Sequence, residues 1–168
     1  MPSKHSNSTA DLQKSAGAGS KNPVLLSLGG NLDGTAERFE RALCRLSLFG
    51  FRILDRSGLF VNPAVGCEPG APDFTNLSVL GEWDGTPLEL LSLIHRIEQE
   101  EGRPADHPHW HSRTLDIDII LMGFETVNEP ELRVPHPLAA VRDFVLIPSK
   151  EILPPDLYRF LERCGKEG

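Results

Sequence analysis

One run, Arg113-Thr114-Leu115-Asp116-Ile117-Asp118-Ile119-Ile120-Leu121, does most to limit what this 168-residue chain can fold into. Read as a β-strand it alternates faces, so Asp116 and Asp118 share one face. Leu115, Ile117, Ile119 and Leu121 then point the other way, into a core. Two carboxylates this close among Leu and Ile are unfavourable unless positive charge sits between them. Mg²⁺ meets that need, because it takes hard oxygen ligands and usually arrives with a substrate's phosphates. A strand with one solvated face explains the same pair, and on the pair alone that plainer reading stands slightly ahead.

The rest of the chain narrows the class. This length suits one domain with a sizeable core, and 39% hydrophobic with 24% charged residues is a soluble, globular balance. No apolar run approaches a membrane span and no signal peptide is visible, so no membrane partner is expected. Cys44, Cys67 and Cys164 are odd in number and far apart, which suggests neither a disulfide framework nor a four-cysteine zinc site. A reducing, cytoplasmic location and a monomer are expected. The net charge of −7 argues against general nucleic-acid binding. A phosphate-bearing ligand must therefore meet a local positive cluster or a metal.

Residues 1–22 are rich in Ser, Lys and small residues and read as a disordered tail, leaving 23–168 as a single domain. Val24 to Leu28 is a buried strand closed by Gly29-Gly30-Asn31, a turn with too little of a phosphate-loop fingerprint to be read as one. Ala36, Phe39, Ala42, Leu43 and Leu46 recur at helical spacing. A second strand runs from Phe51 toward Val61, and Asn62 to Asp73 is a Pro- and Gly-rich loop of the kind that binds or covers ligands. Phe74 to Glu82 is a third strand. Thr86, Pro87 and Glu89 form a capping box for a helix with the stripe Leu90, Leu91, Ile94 and Ile97, ended at Gly102. The Asp-bearing strand follows and stops at Gly123. Residues 124–134 suggest a short hairpin or an excursion, and 134–137 a rigid turn. Arg142 to Pro148 is expected to begin helical and finish extended, and Leu157 to Arg163 is a terminal helix. The order βαββαβ predicts a ferredoxin-like α+β fold, an antiparallel sheet with helices on one face plus C-terminal additions.

Three features converge on phosphate chemistry. The Asp pair offers metal ligands, and Arg103, Arg113 and Arg142 offer positive charge in or beside flanking loops. Trp110 and Phe144 are large aromatics in segments that otherwise read as exposed, and aromatic faces stack on flat heterocycles. Metal-assisted phosphoryl transfer fits all three.

The segment G-R-x9-R-T-L-D-I-D-I at 102–119, with V-P-H-P-x4-R-x-F at 134–144, resembles 6-hydroxymethyl-7,8-dihydropterin pyrophosphokinase. The resemblance extends to G-G-N-L at 29–32 and D-F-x-N at 73–76, and spans roughly residues 23–154. It implies transfer of diphosphate from ATP, as co-substrate, to the hydroxymethyl oxygen of a reduced pterin, with release of AMP, in folate synthesis. It further implies that Asp116 and Asp118 hold two Mg²⁺ ions and that Arg103 and Arg113 neutralise the transferred group. Glu98, Trp110, His136 and Arg142 would serve ATP. Phe74 and Phe144 would sandwich the pterin, Asn76 would hydrogen-bond its edge, and Asn62 and Val65 would line its loop.

The chain departs from that pattern in places. Gly30 stands where Ser is usual and Asn62 where Thr is usual, while Ala105 and His109 stand where Arg is common. His111-Ser112 replaces Gly-Pro, and Glu131 lies near an often basic position. Three lost charge-assisted hydrogen bonds, at roughly 1.5–3 kcal/mol each, would slow transfer about a thousandfold or more. A slow or binding-only homologue is therefore one alternative. A second is a metal-dependent hydrolase built on His107, His109 and His111 with Asp106 and His95, although a merely polar loop is the simpler account of those histidines.

Overall fold

A computed structural model of the protein describes residues 22–102 and 114–164. The expected tail lies outside them except for Asn22, whose side chain donates to the Glu125 carboxylate. Strand β1 (Pro23–Gly30) is the centre of the sheet, and its run Val24–Leu28 is buried on both faces, which is why it reads as continuously apolar. Helix α1 (Thr35–Leu48) buries Thr35, Phe39, Ala42, Leu43 and Leu46, while Ala36 is exposed, so the stripe starts one residue early.

The single strand expected from Phe51 to Val61 is two, β2 (Arg52–Arg56) and β3 (Phe60–Asn62), both antiparallel to β4 (Phe74–Glu82). Arg56 faces Val79 and Phe60 faces Asn76, so the residues between them cannot all pair. The Ser57 hydroxyl takes the Ser78 N–H at 3.0 Å, and the freed Gly58 N–H goes to Glu151 at 2.9 Å. A side chain has replaced one rung of the ladder.

Helix α2 (Pro87–Glu100) starts on the expected capping box: Glu89 N–H donates to Thr86 Oγ1 at 3.2 Å and Thr86 N–H to Glu89 Oε2 at 2.7 Å. Its buried stripe contains Leu93 and Glu98 besides Leu90, Ile94 and Ile97; Leu91 is only half-buried. Gly102, at φ +98°, takes the left-handed conformation that lets the chain leave the helix.

Strand β5 (Asp116–Met122) pairs antiparallel with β1, and the order β2-β4-β1-β5 gives the ferredoxin-like α+β topology. One register shift changes the expected faces. Leu26 faces Ile119 but Leu25 faces Leu121, so Ile120 has no partner in β1. After this bulge the alternation resets, and Leu121 joins the opposite face from Ile117 and Ile119.

Strands β6 (Val127–Asn128) and β7 (Arg133–Val134) form a hairpin, the first of the two forms expected for this segment. The segment expected to finish extended is instead a full helix, α3 (Asp143–Ile152), which runs through Pro148. An interior proline disfavours a helix by about 3 kcal/mol. Burial of Val145, Pro148, Ser149 and Ile152 offsets that, and the Ser149 hydroxyl meets Ser78 of β4 at 3.1 Å. Helix α4 (Pro155–Arg163) completes the described chain. Thus α1 and α2 cover one face of the sheet, and the C-terminal helices cover the other with a second core of Leu25, Leu80, Leu121, Val145 and Leu157. Among the described residues no helix is long and apolar enough to cross a membrane.

Candidate functional site

The register that builds the sheet also builds a polar row across it. On the face toward α3, Asn76 of β4 faces Gly29 of β1, and Gly29 faces Asp116 of β5. The next row reads Ser78, Ser27, Asp118. Asp116 and Asp118 therefore do share a face, at the end of the sheet where Gly29 and Gly30 close β1, and both are half-buried. Among the described residues no three or more His, Cys, Asp and Glu side chains group as a metal cluster. A pair of hard carboxylate oxygens nonetheless suits Mg²⁺, which commonly takes one or two carboxylates and completes its shell with water and phosphate.

Along the outer edge of β5 lies a cleft of about 240 Å³ that gathers Glu98, Asp116, Asp118 and His136. Glu98 comes from α2 and is 3% exposed, with its Oε1 accepting the Ile117 N–H at 2.8 Å. The carboxylate thus braces the strand midway between the two Asp residues, in addition to lining the cleft. His136 is positioned by its own N–H, which donates to the Ile120 carbonyl at 3.0 Å, and its Nδ1 accepts the Leu138 N–H at 3.2 Å. The neutral ring then carries its proton on Nε2.

Burial, and next the charge of Arg142, hold the His136 pKa below the ordinary histidine range; Asp116 opposes them. The sign follows from linkage: the unfolded chain takes up the proton more readily, so this contribution is full above about pH 6.5 and is lost as the pH falls. Ligand-free protein should therefore lose stability in urea below that pH, and His136→Gln should flatten the slope. An unchanged slope in the variant would remove His136 as its source.

The residues expected to hold the pterin lie on β3, β4, the loop between them and the start of α3. Asn76 is 3% exposed, and its Nδ2 donates to the Phe60 carbonyl at 3.0 Å and to Asn62 Oδ1. Phe74 and Phe144 are half-buried, with the Arg142 guanidinium 5.5 Å from the Phe144 ring centre. Val65 stands 82% exposed on the loop between β3 and β4. That loop is tied to the end of β1 by Asn31, whose Nδ2 donates to the Pro72 carbonyl at 3.1 Å.

Arg103, Trp110 and Arg113 lie outside the described residues, as do Ala105, His107, His109, His111 and Ser112. The points between which that segment runs are placed. A Cβ on Gly102 would stand 3.9 Å from Thr114 Cγ2, and a Cβ on Gly30 would stand 2.8 Å from the Thr114 carbonyl oxygen. The end of β1, the end of α2 and the start of β5 therefore converge. Gly30→Ser should force the Thr114 backbone aside, lowering the melting temperature by several degrees, about 1–3 kcal/mol of strain; an unshifted melt would refute the close approach. Sequence reasoning missed Arg133, a cation lining the cleft, and the bare Gly29 between Asn76 and Asp116. Only the pairing of strands exposes the latter.

The model of the 7,8-dihydro-6-hydroxymethylpterin-pyrophosphokinase family matches residues 25–154. A 2-amino-4-hydroxy-6-hydroxymethyldihydropteridine pyrophosphokinase of Pseudomonas aeruginosa is 35% identical over 153 residues, 86% of this chain and 93% of that protein. The Haemophilus influenzae protein of the same name is 34% identical over 128 residues, 76% of this chain and 79% of its own. Among solved structures, a Plasmodium falciparum HPPK-DHPS protein solved with pteroate superposes with a TM-score of 0.60 at 16% identity. That match covers 85% of this chain and 43% of the other, and it bears on the fold alone. The chain belongs to the 7,8-dihydro-6-hydroxymethylpterin-pyrophosphokinase family, and is an ATP-dependent pyrophosphokinase of folate biosynthesis.

Proposed function

We propose that residues 23–168 act as one domain that transfers the β,γ-diphosphate of ATP to the hydroxymethyl oxygen of 6-hydroxymethyl-7,8-dihydropterin, through the residues of the cleft at β5 and those of β3, β4 and the start of α3. The observation that carries this assignment of roles is the single cleft containing Glu98, Asp116, Asp118 and His136, with Asn76 in the same cross-strand row as Asp116.

Asp116 and Asp118 would hold two Mg²⁺ ions, which would supply charge neutralisation at the transferred group. His136 offers Nε2–H to the nucleotide, and Arg142 adds positive charge beside it. Arg103 and Arg113 neutralise the developing charge, and Trp110 closes over ATP. Phe74 and Phe144 hold the pterin ring between them, while Asn62, Val65 and Asn76 meet its edge. The hydroxymethyl oxygen attacks the β-phosphorus and gives up its proton to solvent, the bond from the β-phosphorus to the oxygen of the α-phosphate breaks, and AMP leaves with that oxygen. No strong general base is required where positioning and charge supply the catalysis.

The enzyme works as a monomer in the cytoplasm on small molecules, with neither nucleic acid nor membrane as partner. Its three cysteines are free thiols, which suits a reducing compartment. The test is the product: incubation with Mg-ATP and the reduced pterin alcohol should yield AMP. ADP would mean an ordinary kinase, and normal pterin binding without AMP would mean a binding-only protein. Phe144→Ala should raise the pterin KM about tenfold, the worth of an aromatic stack, with little change for ATP. The reverse ranking would contradict the stacking role.

A further inference from the structure

A pocket of about 700 Å³ opens at the end of the sheet away from Asp116, where β4 runs into α2 and α1 turns back toward β2. The proposed reaction does not use it. Asn76 faces Gly29 at one end of β1 and Glu82 faces Pro23 at the other. Trp83, just past Glu82, therefore stands about 23 Å of extended strand from Asn76.

One side of the pocket is apolar. Trp83 is half-buried against the core, and its indole N–H is committed to the Thr86 carbonyl at 3.0 Å. The ring is thus held in place, and what it can still show a ligand is apolar surface. Leu93, 8% exposed, adds to that surface. Gly50, at φ +100°, leaves room beside the indole: even a Cβ there would stand 3.9 Å from Trp83 Cζ3.

The other side is a face of α2, on which Glu89, Ser92 and Arg96 follow at helical spacing. Glu89 is committed to the capping box, its Oε2 accepting the Thr86 N–H at 2.7 Å, and Asp84 has a partner of its own. Arg96 forms no ion pair among the described residues. Its guanidinium lies over the Phe49 ring, 4.2 Å from the ring centre. Arg45 approaches the same ring at 5.4 Å but pairs with Glu100 at 2.6 Å. Stacking holds a guanidinium by its face and leaves the N–H donors in its plane open to a carboxylate. The charge left without a counter-ion here is positive, and it is already oriented.

We propose that this pocket binds a small aromatic carboxylate. The ring lies against Trp83 and Leu93, and the carboxylate accepts from Arg96, with the Ser92 hydroxyl one turn earlier as a further donor. A pocket of this size suits a small organic ligand, held apart from the reacting substrates. Asp84 and Glu89 repel a second negative charge, so the site favours a monoanion over a phosphate.

The test is calorimetric titration of the full chain with naphthalene-2-carboxylate and with its neutral amide. The carboxylate should bind one to one at submillimolar concentration, and the amide about tenfold or more weakly, for want of the charge-assisted bond. Arg96→Gln should weaken carboxylate binding to the level of the amide. Arg96→Lys, which keeps the charge without the fork, should fall between. Because Arg96 is exposed and carries no ion pair, both variants should melt with the parent. Saturation with a non-hydrolysable ATP analogue and 6-hydroxymethylpterin should leave the naphthoate affinity unchanged. Equal affinity for acid and amide, parent binding kept in Arg96→Gln, or no binding at millimolar naphthoate would each overturn the inference. Displacement by pterin or nucleotide would put the probe in the reaction site and overturn it equally.

Discussion

Asp116→Ala or Asp118→Ala should cut AMP release by about a thousandfold or more, since a divalent ion's charge stabilisation is worth several kcal/mol. The folded protein should survive either change. Both carboxylates are half-buried, and the residues beside and between them, Leu115, Ile117 and Ile119, make their core contacts on the opposite face. Their removal opens no cavity there and reduces repulsion between two like charges. Single-turnover measurement of AMP, beside a thermal melt of ligand-free protein, separates the two effects. Turnover within tenfold of the parent in either variant would sink the two-ion assignment.

Glu98→Ala should have the largest effect on stability, about 2–3 kcal/mol, because it strips a charge-assisted partner from a buried backbone N–H. The bond concerned is the 2.8 Å contact from Ile117 N–H to Glu98 Oε1, in a residue only 3% exposed. Glu98→Gln keeps an acceptor and should recover most of the loss. The alanine variant should also weaken ATP binding, because the strand it releases carries Asp116 and Asp118 on either side of Ile117. Urea unfolding with an ATP titration reads both quantities. An alanine variant as stable as the parent would mean that the N–H finds another partner.

Local chemistry made much of this fold legible. The capping box at Thr86 and Glu89, the strand Phe74–Glu82 and the shared face of Asp116 and Asp118 are each written within a few residues, and each forms as expected. What escaped depends on partners distant in sequence. Pro148 signals a helix end locally, and only packing of α3 on β4 overrides it. The bulge at Ile120 comes from pairing with β1, and alternation along β5 alone cannot reveal it. The break at Ser57 likewise needs Ser78 and Glu151. Glu98 was readable in part: it sits one turn after Ile94 on the buried stripe, where a charged residue must have a partner. That the partner is the Ile117 backbone follows only from how α2 lies against β5.

The row Asn76, Gly29, Asp116 makes the sheet a ruler. Two hydrogen-bonded strand spacings separate the amide proposed to meet the ring from the acidic residue, about 10 Å between their α-carbons. Ladder spacing is nearly incompressible, because changing it breaks hydrogen bonds in every rung at once. Under the proposed roles, the distance from the bound edge of the ring to the atom it offers for reaction is gauged by backbone geometry, and loops can breathe without changing it. A pterin whose hydroxyl sits one methylene farther from the ring should still dock against Asn76, yet overshoot the position from which attack is in line. For such a substrate the loss should fall on kcat, with KM nearly unchanged.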